Sequence, residues 1–121
     1  MLLEKRKHFR FAPGHNKAFI ALGNEFTRVG QIRDICVGGV AFDYFFHKDL
    51  EYNPSQQLDI FMPGNKFYLR NLPCNIVYDI LHLKRTANPL FLAKRIGLQF
   101  RELTHTQTTH LMFFLENHTV Q

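Results

Sequence analysis

The chain has 121 residues, the length of one ordinary domain and too short for two independent cores of normal size. Its hydrophobic content of 45%, with 13 Phe and no Trp, supplies enough apolar side chain for a packed core and argues against disorder. A formal charge of +5 suits an anionic partner, but charge alone does not choose among nucleotide, nucleic acid, acidic protein and membrane surface.

The chain opens on a basic arm. Lys5, Arg6, Lys7, His8 and Arg10 crowd together near the N-terminus, and the other basic residues are spread along the chain beside acidic ones. Phe9 and Phe11 end this stretch, and Pro13-Gly14 closes it with a turn signal. The reading is a flexible basic arm over residues 1–12, followed by one domain over 13–121. Met1 to Leu3 is far too short for the apolar region of a secretory signal, and no run of about 18 apolar residues exists to span a membrane. A cytoplasmic location without membrane insertion is expected. In a chain with no export signal, Cys36 and Cys74 read as reduced thiols.

From Lys17 onward, short apolar or alternating stretches are punctuated by turn residues. Ala18 to Leu22 precedes Gly23-Asn24, and Phe26 to Ile35 follows, alternating after Val29 with Gln31 and Arg33 toward water and Asp34 beside them. Gly38-Gly39 then separates this stretch from Val40-Ala41-Phe42, which reads as strand, tight turn, strand. Gln57 to Met62 ends at Pro63-Gly64-Asn65, Lys66 to Leu72 ends at Pro73, and Asn75 to Leu83 and Leu90 to Phe100 complete the series. About six or seven short strands at this spacing predict an antiparallel sandwich or barrel. The Phe-rich tract from Phe42 to Phe46 reads as core before it reads as a base-stacking platform.

The end of the chain differs in kind. Thr104-His105-Thr106-Gln107 has capping-box spacing, in which the Thr hydroxyl and the Gln amide satisfy two orphan backbone donors. Leu111, Phe114 and Leu115 follow on one helical stripe, so an amphipathic helix over about residues 104–117 is expected to pack on the β domain.

Two motifs carry chemistry. Arg6 and Arg10 place two guanidinium groups on the same side of the arm, where they can converge on one ligand. Arginine's planar donors pair with phosphate oxygens and with guanine O6 and N7, and its face stacks on a base. In Asp34-Ile35-Cys36-Val37-Gly38-Gly39, a carboxylate suited to the N1 and N2 donors of guanine precedes glycines that let backbone approach a ligand. Taken singly, the first is an ordinary solvated tail and the second an ordinary polar turn.

In combination they resemble the PilZ domain, whose pattern is an RxxxR arm followed later in the chain by DxSxxG. Here these stand as Arg6-Lys7-His8-Phe9-Arg10 and Asp34-Ile35-Cys36-Val37-Gly38-Gly39. The run Gly39-Val40-Ala41-Phe42 and the ending Ile96-Gly97-Leu98-Gln99-Phe100 before a short helix extend the match to nearly the whole chain. The resemblance implies a six-stranded antiparallel, Greek-key-like β-barrel with a C-terminal α-helix, and cyclic di-GMP held between arm and barrel face. By position, Arg6 and Arg10 would hold guanine and phosphate, and Asp34 and Gly39 the other guanine and its sugar. Lys5 stands where the family decides between one ligand and a stacked pair, and a basic residue there leans toward the pair. Cys36 departs from the family's Ser, and its thiol is a weaker donor at that ligand position.

No catalytic residue, metal site or cofactor is expected. His105, His110 and His118 lack the spacing that sets two metal ligands on one helix face. Cys36 has no local partner that would make it a nucleophile, and a buried structural thiol fits better. The first expectation is a cyclic di-GMP receptor that reorders its arm on binding and signals through an unidentified effector protein of motility, polysaccharide or transcription machinery. Behind it stand a degenerate PilZ-like adaptor working by protein contact without nucleotide, and a general nucleic-acid binder using the arm and exposed aromatics.

Overall fold

A computed structural model of the chain describes residues 9–10, 18–23, 28–47, 57–65, 67–81 and 91–118. In chain order these form strands β1 (Phe9–Arg10), β2 (Phe19–Leu22), β3 (Arg28–Cys36), β4 (Gly39–His47), β5 (Gln57–Met62), β6 (Phe67–Leu81) and β7 (Phe91–Phe100), then helix α1 (His105–His118). Strands β2 to β7 run in the order β3-β2-β5-β6-β7-β4, and β4 pairs back onto β3 to close the sheet. The result is the expected six-stranded antiparallel barrel with a C-terminal helix. Closure removes the open strand edges through which sheets aggregate.

Most element boundaries follow the sequence. The turn read at Gly38-Gly39 lies one residue earlier, at Val37-Gly38, with Gly39 opening β4, and β5 runs into a single 3-10 turn at Pro63–Asn65. Two elements differ from expectation. Pro73 does not end a strand, because β6 continues through it for 15 residues. Pro73 pairs with Gln57, the first residue of β5, and at Cys74 the strand takes Phe100 of β7 as its partner. A missing N–H is tolerated at such a change of partner, and the Pro73 carbonyl still accepts from the Arg101 N–H at 2.8 Å. The second difference lies at the end of the arm, where Phe9 and Arg10 pair with Ile35 and Asp34 as a two-residue strand.

The interior is built from the inward half of each strand: Ile20 and Leu22, Phe42 and Tyr44, Leu58, Ile60 and Met62, Ile96 and Leu98 are all buried. Each such side chain contributes about 1.5–3 kcal/mol by leaving water. Leu69 and Leu72 both point inward although they are three apart, because Asn71 takes a left-handed conformation with φ 57° and interrupts the alternation. Its N–H donates to Asp59 Oδ1 at 2.8 Å, which satisfies the displaced backbone.

One end of the barrel is plugged by α1. Thr104 and Gln107 form the expected capping box, each backbone N–H donating to the other's side-chain oxygen at 3.0 Å. Leu111, Phe114 and Leu115 are buried, and the Phe114 ring lies 5.4 Å from that of Phe67 at the start of β6. The Gln107 amide also donates to the Asn71 carbonyl at 3.0 Å, tying the first turn of the helix to the β6 irregularity.

At the far end of β6 the interior turns polar. The Tyr44 hydroxyl donates to both Asp79 oxygens at 2.9 and 3.0 Å, with Lys94 Nζ at 3.4 Å and Arg28 at 4.0 Å from the same carboxylate. Burial first, and the Asp79 carboxylate second, push the Tyr44 hydroxyl well above the usual phenol range, so it remains a donor. No described helix is long and apolar enough to cross a membrane.

Phe42 and Phe45 stand three apart on β4, with 0% and 61% of their surface exposed. Phe42→Ala is expected to cost about 3–5 kcal/mol in denaturant unfolding. Phe45→Ala is expected to stay within about 0.5 kcal/mol of the parent, as at an ordinary surface position.

Candidate functional site

Strict alternation along β3 would turn Asp34 inward, in register with Ile32. It does not, because the register with β4 slips between Ile32, opposite Phe42, and Asp34, opposite Ala41. The extra residue, Arg33, forms a bulge, so Ile32 and Ile35 are both buried while Asp34 and Cys36 reach the outer face. A second bulge at Val77 does the same on β6: Ile76 pairs with Leu98, and Tyr78, opposite Gly97, faces outward.

These two slips bring the motif residues into outward-facing cross-strand rows. The central row runs Asp34 on β3, Ala41 on β4, Gly97 on β7 and Tyr78 on β6, and the backbone of Arg10 on β1 pairs with its Asp34 end. Beside it lies the row of Cys36, Gly39, Gln99 and Asn75. On its other side Asp43, Arg95 and Ile80 are paired, with the bulged Arg33 reaching Asp43. The middle strands thus present Gly39, Ala41 and Gly97, small residues that leave a shelf between larger walls. Asp34, Cys36, Val77 and Tyr78 border a depression of about 250 Å³ over this shelf.

Two glycines are required by close approach. A Cβ on Gly39 would collide with the Leu98 carbonyl oxygen, and one on Gly97 would occupy the position of the Tyr78 ring. The floor is flat because these side chains are absent.

Charge on this face is arranged rather than uniform. Arg95 binds Asp43 through two hydrogen bonds, Nε to Oδ1 at 2.7 Å and the terminal nitrogen to Oδ2 at 3.2 Å, and Arg33 Nε lies 3.8 Å from the same carboxylate. The hydrogen bond to Asp43 holds the Arg95 guanidinium further into its charged form. Two guanidinium groups thus gather around Asp43 on one side of the shelf, and Asp34 brings a second carboxylate to the same face. With planar donors and a carboxylate along one edge, such a face can hold an anion and read the polar edge of a flat heterocycle. Among the described residues no group of three or more His, Cys, Asp or Glu is placed to hold a metal ion.

Of the sequence candidates, Asp34, Cys36 and Gly39 fall on this one face, and the backbone of Arg10 pairs directly with that of Asp34. Lys5 and Arg6 lie outside the described residues. Cys36 is partly exposed and not the buried thiol anticipated, whereas Cys74 is fully buried; both are free. Sequence reasoning did not single out Tyr78, Ala41 or Arg95 as part of the site. Gly97 carried a signal, since glycine inside an apolar strand marks a close approach. Tyr78 carried none, because the bulge that turns it outward has no mark in the sequence.

A protein-family model described as the PilZ domain matches residues 4–117. Among solved structures, the chain is similar to the PilZ domain with c-di-GMP of YcgR from Escherichia coli, with a TM-score of 0.61 and 12% sequence identity. That similarity covers 91% of this chain and 88% of the other. No curated protein matches the sequence.

The thiolate is the form that reacts with disulfide reagents, and burial pushes the Cys74 thiol up to about 11. The native protein is therefore expected to release one equivalent of chromophore from a thiol reagent promptly, from Cys36, and the second only on denaturation. Two promptly reacting thiols in the native state would contradict the burial of Cys74.

Proposed function

Because the chain belongs to the PilZ domain family, whose model it matches from residue 4 to residue 117, we propose that it is a receptor for cyclic di-GMP and not an enzyme. The observation that carries this reading is the central row. The last residue of the RxxxR motif, Arg10, is paired with Asp34, the first residue of the second motif, at the border of a shelf of small residues.

On this reading each motif has a distinct task. Arg6 and Arg10 hold a guanine and a phosphate, supplying bidentate donors that a lysine would lack. Asp34 accepts from the N1 and N2 donors of a guanine edge, and Gly39 admits the sugar where a side chain would stand. Lys5 adds charge ahead of the arm and favours a stacked pair of ligands. Cys36 occupies the position of the family's Ser and donates only weakly, so Asp34 and the arm bear most of the binding. Arm residues 1–12 act as the ligand-responsive unit and residues 13–121 as the scaffold. Ordering the arm costs conformational entropy that the ligand contacts offset, and the reordered arm is the surface a partner protein reads. The PilZ domain of the YcgR structure is itself seen with c-di-GMP, which agrees with this assignment.

Titration calorimetry tests the reading. The wild-type chain is expected to bind cyclic di-GMP at low-micromolar concentration or tighter. Charge-assisted hydrogen bonds contribute about 1.5–3 kcal/mol each, so Arg6→Ala combined with Arg10→Ala is expected to weaken binding by about 100-fold or more. Cys36→Ser restores a hydroxyl donor and is expected to tighten binding by up to about tenfold. Saturating ligand is expected to slow modification of Cys36. Absence of binding by the wild type, or binding undiminished in the double variant, sinks the assignment and favours an adaptor that works by contact alone.

A further inference from the structure

We propose that Tyr78 is a base-stacking wall of this ligand site, held in position by Gly97. The inference rests on the cyclic dinucleotide reading above and adds to it a residue outside both motifs. Its basis is geometric. Ile76 pairs with Leu98 in the row of the buried Leu98 and Val40, although it is itself 39% exposed, so simple alternation would put residue 78 in an inward register as well. The bulge at Val77 reverses this and places the phenol ring on the same outer face as Asp34, Cys36 and Gly39.

Gly97 then fixes where the ring goes. Ring atoms Cδ2, Cε2 and Cζ of Tyr78 fill the space a Cβ at residue 97 would take, so the ring settles over the Gly97 backbone. Covering a glycine across a sheet is a stabilising role that aromatic side chains perform. It accounts for one side of the ring and not for the other. Tyr78 remains 39% exposed and lines the depression whose opposite border is Asp34. Three strand spacings separate them across β7 and β4, or about 14 Å of sheet.

A cyclic dinucleotide presents two flat bases on a charged ring, and the two borders of the shelf offer them different contacts. Asp34 reads the polar edge of one base. Tyr78 offers the other an aromatic face, without regard to its edge. The small residues between, Ala41 and Gly97, leave room for the sugar-phosphate ring. Gly97 is thus a positioning residue for Tyr78, and Tyr78 a ligand contact.

The test is calorimetric titration of cyclic di-GMP into wild type, Tyr78→Phe, Tyr78→Ala and Gly97→Ala, each checked for folding by circular dichroism. Loss of one stacking partner is expected to weaken binding by about 5- to 150-fold in Tyr78→Ala. Tyr78→Phe keeps the ring and is expected to stay close to wild type. Gly97→Ala, which displaces the ring, is expected to weaken binding in the same direction as Tyr78→Ala. A readout that a purely structural role would not move is the ring resonance of labelled tyrosine, expected to shift for Tyr78 on ligand addition. If Tyr78→Ala does not fold, Tyr78→Leu keeps an apolar cover without a π-face and is expected to show the same loss. Wild-type binding with unchanged affinity in a folded Tyr78→Ala or Tyr78→Leu variant overturns this inference alone. Failure of the wild type to bind overturns the cyclic di-GMP reading and this inference together.

Discussion

A closed barrel gives each strand one inward face, and side chains that meet a ligand on its wall must come from the other. Period-two alternation normally decides which residues these are. Besides the irregularity at Asn71, the rule is broken at Arg33 and at Val77, and these two breaks determine the outer face around the shelf. Before each bulge, Ile32 or Ile76 stands in register with the interior rows of Phe42 and Leu98, Ile32 buried and Ile76 at the open part of the wall, 39% exposed. After it, Asp34 and Tyr78 point outward. The strands between contribute Ala41 and Gly97, so the space between the two re-aimed side chains stays open.

The interior supports this arrangement from beneath. Asp79 follows Tyr78 and points the other way, where Tyr44, Lys94 and Arg28 gather around its carboxylate. A half-buried carboxylate with several donors is costly to disrupt, since removing its partners leaves charge with little water to solvate it. The contact pins the stretch of β6 that carries Tyr78. At the opposite end of the same strand, Phe67 packs on Phe114 of the helix. The strand that turns Tyr78 toward the shelf is therefore held at both ends, as a preorganised binding face requires.

Much of this was legible in the sequence, though unevenly. The capping box at Thr104 and Gln107 and the stripe of Leu111, Phe114 and Leu115 announced the helix, because both signals are local. The hairpin around Gly38 and the stop at Pro63 were equally local. Pro73 misled, since whether proline ends a strand depends on which neighbour needs its N–H, and that is a tertiary fact. Asp34, Cys36 and Gly39 could be picked out by their motif, yet the reason they share a face with Tyr78 lies in two register slips. A slip arises from the fit of one strand against another, and residues such as Arg33 and Val77 give no sign of it. The same holds for Arg95, an unremarkable basic residue until the register sets it opposite Asp43.

The central claim is that one outer face, framed by Asp34 and Tyr78 and floored by Gly39, Ala41 and Gly97, is where the ligand sits. Mapping backbone amide shifts of the labelled protein during a cyclic di-GMP titration addresses it directly. The account predicts the largest changes at Asp34 to Ala41, at Gly97 and around Tyr78, with β2 and β5 little affected. Changes centred on β2 and β5, or on the barrel-mouth cluster of Arg28, Tyr44, Asp79 and Lys94, would contradict it.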